Sequence, residues 1–324
     1  MEFHAEFFPK SFSKKIVHAD PLLLVGSCFT EQIGNKLAAH KFTVLENPNG
    51  ILFNPVSIAQ AVHSYVDGKI YTDKDLFFHS ELWGCWQHHT KFSRLNKEDA
   101  LTAINESQQK ANAFIKKAKW ILLTLGSAFV YEYTGDGNGE VVANCHKVPA
   151  DKFNRRLLKT EEVSAVLQQM ISKVKTVNPF VNFIFTISPV RHLREGFIEN
   201  NRSKAALIQA VHSLTNNEDV FYFPAYELVI DDLRDYRFYK ADLVHPNDQA
   251  IDYVFEKLMQ ATFNDSAKQL FEKIKDVVKA KEHKVFQEET AAHQKFRSTY
   301  FNRCKQLKDE FPFLELQEEL VYFS

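Results

Sequence analysis

Cysteine is scarce: four residues in 324, namely Cys28, Cys85, Cys145 and Cys304. They stand far apart and form no spaced framework, so a disulfide scaffold and a structural zinc module are not expected. No apolar run approaches the ~20 residues that a membrane-spanning helix needs. The opening stretch MEFHAEFFPK has no basic segment followed by an apolar one, so it does not read as a secretory leader. A reducing cytoplasm is therefore the expected setting. Neither sign of charge prevails, with Lys+Arg 40 against Asp+Glu 41. Nothing in that balance calls for a nucleic-acid or anionic-membrane partner. Internal repeats and low-complexity linkers are absent. A phosphate-cradling glycine loop is absent too. The glycines of GDGNG at 135–139 lie in a hairpin pattern, without a strand before and a helix after.

What is present is an ordinary globular composition, 45% hydrophobic and 25% charged, with 29 phenylalanines that suit an aromatic core. Leu22 to Val25 is a continuous apolar run stopped at Gly26. Thr30 to Ala39 follows with Ile33 and Leu37 four apart and Glu31 in the first turn, which predicts a helix. The unit recurs at Trp120 to Leu125 (stopped by Gly126), Asn182 to Ile187 (stopped by Ser188-Pro189) and Val220 to Phe223 (stopped by Pro224). Helical stretches are expected at 98–118, 161–177, 203–214 and 247–262. Buried runs alternating with helices predict an α/β fold with a mostly parallel sheet covered on both faces. In such sheets ligands bind beyond the carboxyl ends of the strands, where each of these stops lies.

Two segments break the alternation. Residues 70–94 read as a β-hairpin or ribbon, and 128–145 as a hairpin with period-2 arms. Both are expected as insertions near the active-site edge. From Ser266 to Pro312 the chain is charged and helical in pattern, with Leu270, Ile274, Val277 and Val278 forming an apolar stripe. This tail packs on the body or contacts a second copy, making a homo-oligomer. The last segment, PFLELQEELVYFS, is apolar enough to dock. The expected division is a catalytic domain at 1–262 and a helical extension at 263–324.

Two motifs carry chemistry. In LLLVGSCFTEQIG (22–34), a strand runs through Gly26 straight into a helix, which sets Cys28 by the helix N-terminus. Unpaired amides and the dipole there favour an anion, so a thiol is expected to ionise more easily and an oxyanion to be held. Ser27 is the neighbouring candidate. In YKADLVHPNDQAIDYVF (239–255), Asp242 and His245 precede a helix that starts at Pro246. Such a histidine can act as a general base while the carboxylate fixes its tautomer.

Gly26-Ser27-Cys28-Phe29 near the start, together with LTLGSAFVY (123–131), ANCHKVP (143–149), SPVRHLREG (188–196) and DYRFYKADLVHP (235–246), resembles the GSCFA family of the SGNH, or GDSL-like, hydrolase superfamily. The resemblance implies a three-layer α/β/α sandwich with the nucleophile on the first strand–helix turn and the Asp-His pair from the later loop. Aligning Gly26 places Ser27 on the superfamily's aspartate and Cys28 on its catalytic serine. A cysteine in that seat opens acyl transfer beside ester hydrolysis, because a thioester is more open to amines and other acceptors. For the oxyanion hole the resemblance implies Gly50, with Asn49 and Asn54 close by, and Gly126. The asparagine expected after Gly126 is missing, and its place falls to Ser127, to Asn144 or to nothing.

Smaller clusters complete the candidates. Cys85, His88 and His89, and Cys145 with His146, lack the spacing of a zinc site, so no metal and no cofactor are expected. His146 belongs to a pocket rim. Arg191-His192 follows a strand stop, where the cation could hold an acidic substrate group. Asn201-Arg202-Ser203-Lys204 opens a helix and is equally open to a structural or a site role. The expected function is acyl-group hydrolysis (esterase or deacetylase-like) or acyl transfer on a small or carbohydrate-like substrate. The alternative is a binding or scaffold protein that keeps the fold without the chemistry.

Overall fold

A computed structural model of the chain describes residues 5–135, 139–283 and 287–324. The middle of the turn read at 135–139, and the first residues of the N-terminal segment, lie outside the described residues. The strands in chain order are β1 (Leu22–Gly26), β2 (Val44–Glu46), β3 (Phe77–His79), β4 (Leu82–Gly84), β5 (Trp120–Leu125), β6 (Phe129–Tyr133), β7 (Glu140–Val141), β8 (Phe153–Leu157), β9 (Asn182–Ile187) and β10 (Val220–Phe223). The helices are α1 (Cys28–Ala39), α2 (Pro55–Asp67), α3 (Lys97–Ile115), α4 (Thr160–Lys175), α5 (Phe197–Leu214), α6 (Ala225–Glu227), α7 (Asp248–Thr262), α8 (Asp265–Lys281), α9 (Ala291–Glu310) and α10 (Gln317–Phe323).

A five-stranded parallel sheet, ordered β10-β9-β5-β1-β2, forms the middle layer. Side chains alternate across it, so each strand feeds two cores. Leu23 and Val25 of β1 join Ile121 and Leu123 of β5 and Phe183 and Phe185 of β9 under α2, α3, α4 and α5. Leu22 and Leu24 join Trp120, Leu122 and Ile184 on the other face, under α1 and α7. The result is the α/β/α sandwich, with the continuous apolar runs explained by burial on both faces.

The sequence misses β2 and α2. Strand β2 is three half-buried residues, VLE, at the sheet edge, too short and polar for an apolar run. Helix α2 carries ordinary start and stop signals: Asn54 caps it, Pro55 opens it, and Gly68 ends it in the left-handed conformation at φ 62°. Helix α5 begins at Phe197, earlier than the expected 203, after Gly196 at φ 86°. The segment 70–94 contributes the small antiparallel hairpin β3–β4. The second insertion is larger than a hairpin, since β8 adds to β6 and makes the sheet β7-β6-β8.

The C-terminal helices have their own core, where Leu270, Ile274 and Val277 meet Cys304, Leu307, Leu314, Leu316 and Phe323. Glu319, with its side chain 3% exposed, is held by Lys41 at 2.9 Å and Lys281 at 3.3 Å. The last segment is thus docked by apolar contact and by a sequestered ion pair. Among the described residues no helix is long and apolar enough to cross a membrane.

Candidate functional site

Strand order places the crevice. The chain leaves β1 for the edge strand β2, then crosses back to β5 on β1's other side. Loops leaving the carboxyl ends of β1 and β5 therefore diverge, and this switch point is where open α/β sheets accept ligands. The segment 47–54 is laced across it. The Asn47 Oδ1 accepts from the Gly26 amide at 2.8 Å, and the Leu52 amide donates to the Gly26 carbonyl at 2.9 Å. The amides of Gly126 and Ser127 both donate to the Phe53 carbonyl, at 2.8 and 3.0 Å.

Gly26 must be glycine. Its φ is 149°, and a Cβ there would lie 2.3 Å from the Thr124 carbonyl oxygen of β5. Ser27 is fully buried, its amide donates to the Thr124 carbonyl at 3.2 Å, and its Oγ has no partner among the described residues. Cys28, the first residue of α1, is half-buried and so the more accessible of the two. The expected drop in its pKa is not seen. Burial pushes the thiol up and the Glu31 carboxylate adds to that. The amides of Phe29 and Cys28 and the Lys204 ammonium favour the thiolate but do not offset the burial.

The other half lies on the loop before α7. His245 Nδ1 is 2.7 Å from Asp242 Oδ2. Asp242 Oδ1 accepts from the amides of Val244 at 2.9 Å and His245 at 3.0 Å. These two amides, with the His245 ring after them, pull the Asp242 carboxyl down to about 2. The bond at Nδ1 leaves Nε2 for a reacting group. Between the two residues Leu243 is held at φ 59°, an uncommon conformation for a branched side chain.

Arg191 is used differently from the cation expected for a substrate. Its guanidinium donates to the Leu243 carbonyl at 3.3 Å and lies over the rings of Tyr239 and Tyr236, at 4.3 and 5.1 Å. Its own amide donates to the Val244 carbonyl at 3.3 Å. Arg191 therefore fastens the loop after β9 to the Asp242–His245 loop. His192 stands over Gly126, with its Nε2 unpartnered among the described residues and 3.2 Å from where a Gly126 Cβ would be. Burial holds its imidazole down at about 3, helped by Lys204 and His245, so it is neutral.

Several expected oxyanion donors are occupied. Besides the amides of Gly126 and Ser127, the Gly50 amide donates to the Asn47 carbonyl at 2.7 Å. The Ser127 hydroxyl accepts from the Phe129 amide at 3.1 Å and shares a hydrogen bond with the Ser203 hydroxyl at 3.3 Å. Asn54 caps α2 by accepting from the Ser57 amide at 2.8 Å, and its Nδ2 donates to the Ser57 hydroxyl at 3.0 Å. Asn49 Nδ2 donates to the Gln87 carbonyl at 2.9 Å. Asn144 Oδ1 accepts from the His146 amide at 2.8 Å, and the His146 ring bonds to the Cys85 carbonyl at 3.0 Å, buried where the two insertions meet. These side chains build the walls, and the amides of Cys28 and Phe29 are left as the donors facing the thiol. No group of three His, Cys, Asp or Glu among the described residues could hold a metal ion.

Lys204 is the site residue that sequence reasoning left undecided. It is 1% exposed, and its Nζ donates to the carbonyls of Gly126 at 2.6 Å and Ser188 at 2.7 Å, at the ends of the two central strands β5 and β9. Burial lowers its pKa to about 7, against the pull of Cys28. A signal existed: Asn200, Ser203, Lys204, Leu207, Ala210, Val211 and Leu214 form the inward stripe of α5, and a lysine in that register is out of place.

These features define an α/β protein with a candidate functional site at the β1/β5 switch point. The GSCFA family profile matches residues 21–258, and the profile of the GSCFA domain protein C-terminal domain matches 274–324. The chain belongs to the GSCFA family. A comparison with curated proteins finds no match. Among solved structures it is similar to a carbohydrate esterase family 3 from Talaromyces cellulolyticus (10% identity, 79% of this chain, 99% of that chain, TM-score 0.37). It is also similar to an acetyl esterase mutant with acetate ion (13%, 80%, 99%, 0.36). A third is an acetyl xylan esterase from the rumen bacterium Butyrivibrio proteoclasticus (10%, 76%, 64%, 0.40).

Proposed function

We propose that this chain is an SGNH-like acyl-group enzyme, a hydrolase or transferase acting through Cys28 on a small or carbohydrate-like acyl substrate. The observation that carries the reading is the Asp242–His245 pair, bonded at 2.7 Å with the carboxylate itself held by two amides. That arrangement fixes one tautomer and stabilises the imidazolium that forms when Nε2 takes a proton. Cys28 is preferred over Ser27 because Ser27 is fully enclosed. In the reaction the Cys28 sulfur attacks the acyl carbonyl, and the amides of Cys28 and Phe29 receive the oxyanion. The alcohol or amine leaves with the proton that the Cys28 thiol gives up. Water or another acceptor, deprotonated by His245, then attacks the thioester. The catalytic unit is 1–262, with 263–324 as its helical extension.

The test is mass spectrometry of the full chain after an activated acyl ester, beside Cys28→Ala and Ser27→Ala. A label on Cys28, lost in Cys28→Ala and kept in Ser27→Ala, is the expected result. A label on Ser27 moves the nucleophile. Background turnover in all three chains, with no label, leaves the non-catalytic binding reading, which the occupied amides of Gly50, Gly126 and Ser127 favour.

A further inference from the structure

The chain from Lys240 to His245 is the tip of a loop whose base its own backbone closes. There the Asn247 amide donates to the Phe238 carbonyl at 2.9 Å, and the Lys240 amide to the His245 carbonyl at 2.8 Å. The tip carries Asp242 and His245, whose side chains are 47% and 44% exposed, so packing does not fix them. A base must nevertheless stand in one place to act on a reacting group. Among the described residues, every hydrogen bond between this tip and the rest of the fold comes from Arg191.

The bonds share one pattern. In the peptide unit joining Leu243 to Val244, the carbonyl accepts from the Arg191 guanidinium at 3.3 Å and the amide donates to Asp242 Oδ1 at 2.9 Å. In the next unit, the Val244 carbonyl accepts from the Arg191 amide at 3.3 Å and the His245 amide donates to the same Oδ1 at 3.0 Å. Both units are thus gripped at each end, by Arg191 on the carbonyl side and by Asp242 on the amide side. Hydrogen bonds in series strengthen one another. Leu243 keeps φ at 59° between them, a conformation that persists only where its surroundings hold it. The guanidinium is itself seated, 4.3 Å from the ring of Tyr239, which is 7% exposed and belongs to the core under α1 and α7. A planar guanidinium can lie on a ring and donate in its own plane.

We propose that Arg191 is a positioning residue for the Asp242–His245 pair: it ties the exposed tip to the core and sets where the His245 imidazole stands at the crevice. The pair supplies its own internal bonds, and Arg191 supplies its place. Arg191 acts through two peptide units and touches neither the substrate nor the reacting atoms. The assignment rests on the acyl-group reading for its purpose, but the hold on the tip is measurable without turnover.

The experiment compares the full chain with Arg191→Met and with Arg194→Met, which removes an exposed charge from the same loop. On a neutral activated acyl ester, Arg191→Met should lower kcat about 10- to 100-fold with KM nearly unmoved, while Arg194→Met stays near the wild type. An unchanged kcat, with KM raised only for an acyl ester that carries a carboxylate, would make Arg191 a substrate cation and overturn the assignment. An equal fall in Arg194→Met would trace the effect to loop charge and overturn it too. Amide hydrogen exchange reads the tip directly. In Arg191→Met the Val244 and His245 amides should exchange about tenfold faster, while those of Leu123 and Phe185 in the central strands keep their rates. Exchange that is unchanged at the tip, or faster in the central strands as well, overturns the positioning role. If Arg191→Met does not fold, Arg191→Lys is read in the same two ways, since it keeps the charge and loses the fork; wild-type behaviour overturns the assignment. Faster exchange at the tip in a protein whose wild type turns over no acyl ester keeps the clamp and sinks the acyl reading. Turnover through Cys28, with kcat and exchange both unmoved in Arg191→Met, does the reverse.

Discussion

Asp242 and His245 stand three residues apart on an exposed loop, and the bonds between them are local. Gly26, Ser27 and Cys28 occupy a turn whose partners are remote in sequence: Asn47, Leu52 and Thr124. The first half keeps its charge because short-range amides hold it. The second half loses easy ionisation because burial outweighs the helix start. A motif of short range therefore predicts its own chemistry, while a motif closed by distant chain does not. The contrast can be broken, or sharpened, at both ends.

The largest effect is expected at the local half. His245→Ala removes the acceptor's base and should lower acyl-ester turnover by roughly 100- to 10,000-fold. The far-ultraviolet spectrum should not change, since the side chain is half exposed and, among the described residues, bonds only to Asp242. Steady-state rates within twofold of the wild type would remove the pair from the mechanism.

Next is the turn. Gly26→Ala sets a Cβ 2.3 Å from the Thr124 carbonyl oxygen at a φ of 149°. Strain and overpacking together should cost about 2–5 kcal/mol. Chemical denaturation reads this as a lower midpoint at similar slope. A variant as stable as the wild type would show that β1 and β5 separate freely, and the turn would lose its fixed geometry.

These two halves also show what the sequence made legible. Four of the five central strands end where glycine, serine or proline stops the apolar run, because burial on both faces forces an uninterrupted run. The Asp242–His245 bond was legible for the same local reason. The thiol's state was not: helix position predicts a lowered pKa, and only the packing around Cys28 shows that desolvation wins. Asn54 and Gly50 show a different limit. Both lie at the crevice, but their polar groups are spent on the Ser57 amide and the Asn47 carbonyl, and such partners have no sequence signature. Lys204 was visible as a charge in an apolar stripe, yet its meaning depended on two strand ends far along the chain.

A smaller effect follows from that lysine. Folded, Lys204 gives up its proton at about 7, whereas the unfolded chain holds it to roughly 10.4. The unfolded state binds more protons between those values, so this group makes stability rise with pH there; below them its burial penalty is present in full. Lys204→Met should lack that rise. Calorimetric melting temperatures from pH 6 to 10 should therefore show the variant gaining on the wild type toward the acid end. Parallel curves would mean that Lys204 keeps an ordinary pKa in the fold.

The smallest effect tests whether the local half is as self-contained as its geometry. The Asp242 carboxyl is pulled to about 2 chiefly by the amides of His245 and Val244, with the imidazole ring behind them. His245→Ala keeps both amides. The carbon-13 carboxyl resonance of Asp242 in that variant should move its midpoint up modestly and stay below the ordinary aspartate value of about 3.9. The sign also bears on turnover: a lowered carboxyl is ionised at every pH above about 4, so an acid limb in the neutral range does not belong to Asp242. A midpoint that returns fully to the ordinary value would make the ring, not the backbone, the source of the charge, and the local half would depend on its histidine.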